Sequence, residues 1–137
     1  MSEVSSLPGI RVSAVAVEHG MMPALAYRVE TDDASLAFSG DVSGESGSLA
    51  ELASDVDLLV HDMALPERDV EHGDLHAKPS EVGRTASAAR AGSLLLSHVM
   101  PELEDEKDDA ERLVRSNFSG PVSWAHDLMS VPVRSAD

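Results

Sequence analysis

Three residues with metal-binding side chains, His19, Asp41 and His98, each lie at a loop position just after a predicted strand. Imidazole nitrogens and carboxylate oxygens bind zinc, manganese or iron, and the chain has no cysteine that could add a thiolate. Asp41 follows Gly40, and a short carboxylate at such a tight strand exit can bridge two cations. One histidine at a strand end is usually a hydrogen-bonded surface residue. The three residues together favour a metal site.

The elements that must position these residues follow from hydrophobic patterning. Alternating or continuous apolar segments predict strands at residues 10–17, 24–30, 35–39, 57–60, 93–97, 122–125 and 128–133. Helices are predicted at residues 48–54, from Pro79 to Gly92, and from Glu102 to just before Gly120. Residues 1–9 are small and polar and are predicted to be a flexible leader.

This order of elements predicts an α/β domain with a mixed β-sheet and helices on one face. Functional groups in open α/β sheets gather beyond the carboxyl ends of strands. Five predicted strand exits carry His or Asp: His19, Asp41, His61-Asp62, His98 and His126-Asp127. That number exceeds what a solvated sheet edge usually shows.

The composition restricts the class of function. The chain has 25 acidic and 10 basic residues, a formal net charge of -15, which argues against broad electrostatic binding of nucleic acid. Self-repulsion that keeps the protein soluble and adaptation to a high-salt cytoplasm both explain this charge. The sequence has no apolar run of about 20 residues and no signal-peptide pattern at its start, so we expect a cytoplasmic protein with no membrane partner.

Six segments in order carry a family resemblance: EHGMMPALAYRVE, SLAFSGDV, DLLVHDM, LHAKPSEVG, SLLLSHVMP and AHDLMSVPV. Together they resemble the C-terminal half of the metallo-β-lactamase superfamily, in particular its ribonuclease Z and phosphodiesterase-like branch. The resemblance implies that residues 10–137 form one half of an αββα sandwich. It also implies a metal-dependent hydrolase in which a metal-bound hydroxide attacks a phosphoester, with zinc, or alternatively manganese or iron, as the cofactor.

The same resemblance assigns roles to five residues. His19 matches a ligand of one metal, Asp41 the bridging carboxylate, and His98 a ligand of the other metal. His76 matches a histidine that protonates the leaving group. Asp62 matches the acidic residue that orients this histidine, although here it is one methylene shorter than the family's glutamate.

The sequence departs from the family in one large respect. The His-x-His-x-Asp-His motif of the N-terminal half is absent, and HGDLH at residues 72–76 lacks its spacing. An isolated chain is therefore expected to bind metal weakly and to lack full activity. We expect either a separate N-terminal half or a second copy of the chain, in a homodimer, to cover the apolar sheet face.

Other functions stay open at this point. A non-catalytic self-associating domain and an acidic binding module with incidental histidines are the alternatives to a hydrolase. The sequence does not name the substrate: a small phosphoester and RNA are candidates, and by the resemblance cyclic nucleotides, sulfate esters and lactones fit as well. The remaining histidines, His61, His72 and His126, are interpreted as structural or loop residues, and Met21 and Met22 as packing residues or an apolar lip.

Overall fold

The protein, described by a computed structural model over residues 1–133 except for the side chain of Ser6, forms a seven-stranded sheet with three helices. The strands lie in chain order across the sheet: β1 (Ser2–Leu7), β2 (Ile10–Val17), β3 (Ala24–Glu30), β4 (Ser35–Phe38), β5 (Leu58–Asp62), β6 (Leu94–Ser97) and β7 (Val122–Trp124). The helices are α1 (Gly47–Leu52), α2 (Pro79–Ala89) and α3 (Lys107–Asn117).

The sheet is mixed, as the sequence predicted. β1 to β4 form an antiparallel meander, and β4 to β7 pair in parallel through crossovers that contain the helices. Hairpin connections suffice for the first half, whereas parallel neighbours require the longer crossovers. Because β2 and β4 both run antiparallel to β3, β2 ends at the same edge of the sheet as β4, β5 and β6.

Two sequence predictions about the ends of the chain are wrong. Residues 1–9 are not a flexible leader, because Ser2–Leu7 pairs antiparallel with β2 through a turn in which Gly9 has a φ of 77°. Residues 128–133 form no strand: Leu128 has a φ of 63° and is fully exposed, and Pro132 lacks a backbone donor. The polar pattern of β1 concealed an edge strand. The last four residues of the predicted domain, 134–137, lie outside the described part of the chain.

One face of the sheet packs against the three helices. Strands β2 to β6 each contribute a side chain on this face to the core formed with the helices: Val15, Ala26, Ala37, Leu59 and Leu96. The helical side of this core is also aliphatic, with contributions from Leu49, Val82, Ala86 and Val114. Such small and branched side chains fill the interior without the aromatic residues that the chain mostly lacks.

The opposite face of the sheet is apolar too, and it carries no helix. Neighbouring strands pair Ala16 with Leu25, Tyr27 with Phe38, and Phe38 with Val60 on this side. Leu25 is 47% exposed, Phe38 43% and Tyr27 38%. We call this surface the open sheet face.

Among residues 1–133, no helix is both long enough and apolar enough to cross a membrane.

Gly83 allows α2 and α3 to pack closely against each other. A Cβ at this position would lie 2.6 Å from the backbone oxygen of Val114 and 2.9 Å from Cβ of Asn117. We expect Gly83→Ala to lower the free energy of unfolding by about 1–3 kcal/mol in urea, because backbone atoms must move apart. Gly47→Ala in α1 is the matched control, since its added Cβ meets nothing within 4 Å. Equal effects of the two substitutions would contradict this account.

Candidate metal centre

The predicted site residues meet at the edge of the sheet where β2, β4, β5 and β6 end. His19 lies just beyond β2, Asp41 lies just beyond β4, and His98 directly follows β6. Asp62 is the last residue of β5 rather than part of the following loop. Adjacent strand ends therefore bring together residues that are up to 79 positions apart in the sequence, as between His19 and His98.

Asp41 lies between the two histidines that flank it. Its Oδ1 is 3.1 Å from Nδ1 of His98, and its Oδ2 is 3.8 Å from Nε2 of His19. Asp41 and His98 are both partly accessible, with side chains 48% and 45% exposed, while the side chain of His19 is 11% exposed. The two oxygens of this carboxylate therefore each lie near one imidazole, and the three side chains form one cluster of oxygen and nitrogen donors.

His76 and Asp62 form a buried pair behind these residues. Nδ1 of His76 lies 2.6 Å from Oδ2 of Asp62, and the side chains are 9% and 1% exposed. The ring of His76 lies 5.2 Å from the ring of His19 and 5.3 Å from that of His98, between centroids. The structure thus brings all five sequence-predicted site residues together, and their individual roles remain predictions.

The loop that carries His76 is tied down at the start of α2. Glu67 accepts hydrogen bonds from the backbone N–H and the hydroxyl of Ser80, at 3.0 and 2.7 Å. Glu81 accepts from the backbone N–H of Lys78 at 2.8 Å, so the first turn of the helix holds the segment that follows His76. The predicted helix start at Pro79 is confirmed. Acidic side chains are favourable there because they satisfy free N–H groups at the positive end of the helix dipole.

The donor atoms of the site fit a bound cation. Nδ1 of His19 lies 2.8 Å from the carbonyl oxygen of Leu75. A carbonyl only accepts, so Nδ1 carries the proton and Nε2 presents a lone pair toward Asp41. Two acceptors therefore face each other across 3.8 Å. A second hydrogen bond that fixes the histidine tautomer in this way is typical of metal ligands.

A second set of potential ligands overlaps the predicted one. Asp62, His76 and His98 each offer one ligand atom, and these atoms lie within 4.8 Å of one another. Oδ1 of Asp62 is buried, lies 3.3 Å from Nδ1 of His98, and makes no hydrogen bond among residues 1–133. Oδ2 of Asp62 already accepts a hydrogen bond from Nδ1 of His76, which favours the predicted pairing of these two residues over joint metal ligation.

A hollow of about 220 Å³ adjoins the site. Asp41, Asp62 and His98 supply its polar wall, while Phe38 and Val60 of the open sheet face supply its apolar wall. The site is therefore continuous with the open sheet face. A larger hollow of about 480 Å³ lies along the exposed side of α3 and is lined by residues such as Glu111 and Arg115, none of them from the site.

The other three histidines are not part of the cluster formed by the five predicted site residues. His61 is fully buried and donates from Nδ1 to the carbonyl oxygen of Asp62 at 2.7 Å, and burial lowers the pKa of its ring. His72 and His126 are exposed. Met21 is fully exposed and Met22 is 64% exposed, so these methionines form an apolar lip beside His19 rather than packing in the core.

Two contacts of the site were not expected from the sequence. The carbonyl of Leu75 orients His19, and the hydroxyl of Ser39 bonds the backbone N–H of Asp62 and the carbonyl of Gly40, just before Asp41. A backbone carbonyl has no residue-specific signal. Ser39 stands next to Gly40 in the SGD triplet, but a serine at a strand end is too common to mark a role.

Comparisons with known proteins agree with this architecture. The family model of the β-lactamase superfamily domain matches residues 2–99. A putative ribonuclease Z of Mycobacterium tuberculosis (strain CDC 1551 / Oshkosh) is 29% identical over 135 residues, covering 91% of this chain and 60% of that protein. Ribonuclease Z of Mycobacterium marinum is also 29% identical, covering 93% of this chain and 49% of that protein.

Solved structures share the fold at low sequence identity. The metallo-β-lactamase fold protein YhfI from Bacillus subtilis superposes with a TM-score of 0.78 at 22% identity, over 90% of this chain and 49% of that one. The short form of human tRNase Z gives a TM-score of 0.72 at 22% identity, over 96% of this chain and 47% of that one.

The chain spans about half the length of most of the relatives that it matches. The match of the family model covers well over half of the chain, and the sheet, its order and its helices agree with the solved structures. The chain belongs to the β-lactamase superfamily and has the α/β architecture of the metallo-β-lactamase fold.

Proposed function

We propose that this chain provides half of the active site of a metal-dependent phosphodiesterase similar to ribonuclease Z. The buried Asp62–His76 hydrogen bond of 2.6 Å, beside His19, Asp41 and His98, carries the proposal. It joins an acid–base pair to a set of nitrogen and oxygen ligands at one edge of the sheet. The similarity to mycobacterial ribonuclease Z proteins supports phosphoesters, small ones or RNA, as the substrate class.

His19, Asp41 and His98 would hold the metal in this proposal. Zinc suits two imidazoles and a carboxylate, and manganese or iron accept the same donors. A bound metal would supply positive charge for the substrate oxygens and would lower the pKa of water. The carbonyl of Leu75 keeps Nε2 of His19 unprotonated for this purpose.

His76 would protonate the departing oxygen of the substrate. Because its Nδ1–H donates to Asp62, the proton that it can transfer sits on Nε2. The carboxylate of Asp62 fixes the ring and stabilises its protonated form, as an acidic partner does for other catalytic histidines. Oδ2 of Asp62 lies 2.6 Å from Nδ1 of His76, so the aspartate side chain is long enough to reach the ring, which supports this pairing.

Metal content and hydrolysis test these roles separately. After dialysis against zinc, we expect Asp41→Asn to retain less metal than the wild type, because a neutral amide is a weaker ligand. We expect His76→Gln to retain the metal but to hydrolyse bis(p-nitrophenyl) phosphate about 10²–10⁴-fold more slowly. Activity is measured for the chain alone and with an added N-terminal half from a ribonuclease Z.

The exposed histidine His72 provides the control for this experiment. His72→Gln removes an imidazole close to His76 in sequence, and it should change neither the metal content nor the rate. A wild-type chain that binds no zinc and has no activity in either setting would refute the proposed function.

Gly40 holds Asp41 in place and offers a sharper structural test. It has a φ of 61°, and an added Cβ would lie 2.6 Å from the backbone oxygen of Leu25. Gly44 has the same φ of 61°, but its added Cβ would lie 3.9 Å from the nearest atom, in Glu81. Both alanine variants therefore carry the same backbone strain, and only Gly40→Ala displaces the turn before Asp41.

We expect Gly40→Ala to weaken zinc binding well beyond Gly44→Ala, as measured by isothermal titration calorimetry. The free energy of unfolding in urea is measured for both variants, so that a general loss of stability can be told apart from a loss of zinc affinity. Zinc affinities that fall equally in the two variants would mean that Asp41 does not need this turn.

The open sheet face supports a proposal about the partner. Its apolar residues Leu25, Tyr27 and Phe38 are 38% to 47% exposed, and Phe38 also lines the hollow beside Asp41. A partner that covers this face would therefore also close the site. We propose that a second α/β half does so, either a separate N-terminal half or a second copy in a homodimer. A non-catalytic self-associating domain is the alternative function that this surface favours.

Sedimentation velocity distinguishes these partners. If a second copy covers the face, the wild type should sediment as a dimer at micromolar concentration, and Leu25→Lys should shift it to a monomer because the charge would be buried. Leu128→Lys is the control, because Leu128 is equally apolar but fully exposed outside the sheet. A wild type that stays monomeric excludes the homodimer and leaves the separate half as the proposed partner.

A further inference from the structure

Ser39 lies where β4 ends and the turn to Asp41 begins, and its side chain is almost completely buried, with the residue 2% exposed. Its hydroxyl oxygen accepts the backbone N–H of Asp62 at 2.8 Å. The same hydroxyl donates to the carbonyl oxygen of Gly40 at 2.6 Å. One side chain thus connects the backbone just before Asp41 with the backbone of Asp62.

These two hydrogen bonds join the two chemical parts of the site. Asp41 lies beside His19 and His98, whereas Asp62 forms a hydrogen-bonded pair with His76. The regular pairing of β4 with β5 ends at Phe38 and Val60 and is extended by one further bond, from the N–H of Ser39 to the carbonyl of Val60 at 2.9 Å. Beyond that point, regular strand pairing no longer holds the ends of β4 and β5 together.

We propose that Ser39 is a positioning residue that sets the placement of Asp41 relative to the Asp62–His76 pair. The inference rests on the proposed function for its catalytic consequence. A hydroxyl suits this position because it donates and accepts at the same time. Alanine would leave the buried N–H of Asp62 without that partner, so the end of β5 and the turn before Asp41 would become independent of each other.

The backbone of Val42 adds to the same connection from the other side. Its N–H donates to Oδ2 of Asp62 at 3.2 Å, the oxygen that also accepts from His76. The turn of residues 39–42 is therefore bonded to Asp62 at both of its ends. A shift of this turn would reach the Asp62 carboxylate directly, and through it the ring of His76.

Two measurements on the chain test the proposal. The first is the ¹H–¹⁵N NMR signal of the Nδ1–H of His76 in the metal-free protein, which reports the hydrogen bond to Asp62. The second is the affinity for Zn²⁺ alone, by isothermal titration calorimetry. We expect Ser39→Ala to displace or broaden the His76 signal and to weaken zinc binding about 10- to 100-fold, the usual cost of losing a partner behind the ligands.

Ser39→Thr keeps the hydroxyl and should restore both the signal and the zinc affinity. Ser13→Ala is the matched control: Ser13 is also a buried serine, 6% exposed in β2, and takes no part in the hydrogen bonds of the site. It should leave both measurements unchanged. Unfolding in urea verifies that each variant is folded under the conditions of the measurement.

The outcomes separate this inference from the proposed function. A folded Ser39→Ala variant with the wild-type His76 signal and zinc affinity would overturn the role of Ser39. If Ser39→Ala does not fold, a folded Ser39→Thr variant that loses the His76 signal would overturn it equally. If the wild type binds no zinc and has no activity, alone or with an N-terminal half, the proposed function fails, and the His76 signal in the metal-free variants still decides the role of Ser39.

Discussion

The carboxylate of Asp62 is buried at the end of β5, and its surroundings have to compensate for its removal from water. His76 and the backbone N–H of Val42 donate to one of its oxygens, and Ser39 holds its backbone. Ser39 and Val42 come from the turn that follows β4, whereas His76 comes from the connection between β5 and α2. The need to satisfy one buried acid therefore draws together the segments that also carry Asp41 and His76.

The direction of the strands makes this convergence possible. β2, β4, β5 and β6 all end at one edge of the sheet, where His19 and Asp41 lie just beyond β2 and β4, Asp62 ends β5, and His98 follows β6. The antiparallel meander contributes His19, whereas the parallel half contributes Asp41, His76 and His98. The carbonyl of Leu75 then connects the two halves of the sheet, because it fixes the ring of His19 from the loop that precedes His76.

The open sheet face gives the molecule its second constraint. A sheet with two apolar faces needs cover on both of them, and the helices of this chain cover only one. Phe38 and Val60 continue this uncovered surface into the wall of the site. The uncovered apolar surface therefore borders Asp41, Asp62 and His98.

Much of the fold and of the site was accessible from the sequence, because the signals were local. The alternating apolar pattern located β2 and β3, Pro79 located the start of α2, and the residues after strands located His19, Asp41 and His98. The errors have local causes as well. β1 is a polar edge strand with little apolar signal, and residues 128–133 have an apolar pattern but begin at a left-handed Leu128.

The residue types, their order and the family that they resemble were therefore determined by the sequence itself. Only the tertiary structure decided that Asp62 lies within hydrogen-bond distance of His76, that the carbonyl of Leu75 orients His19, and that Ser39 contacts both acidic segments. These contacts join residues 1 to 56 positions apart, and several use backbone atoms that every residue possesses. Hydrogen-bond geometry of this kind depends on how strand ends are placed in space, which no pattern of side chains specifies.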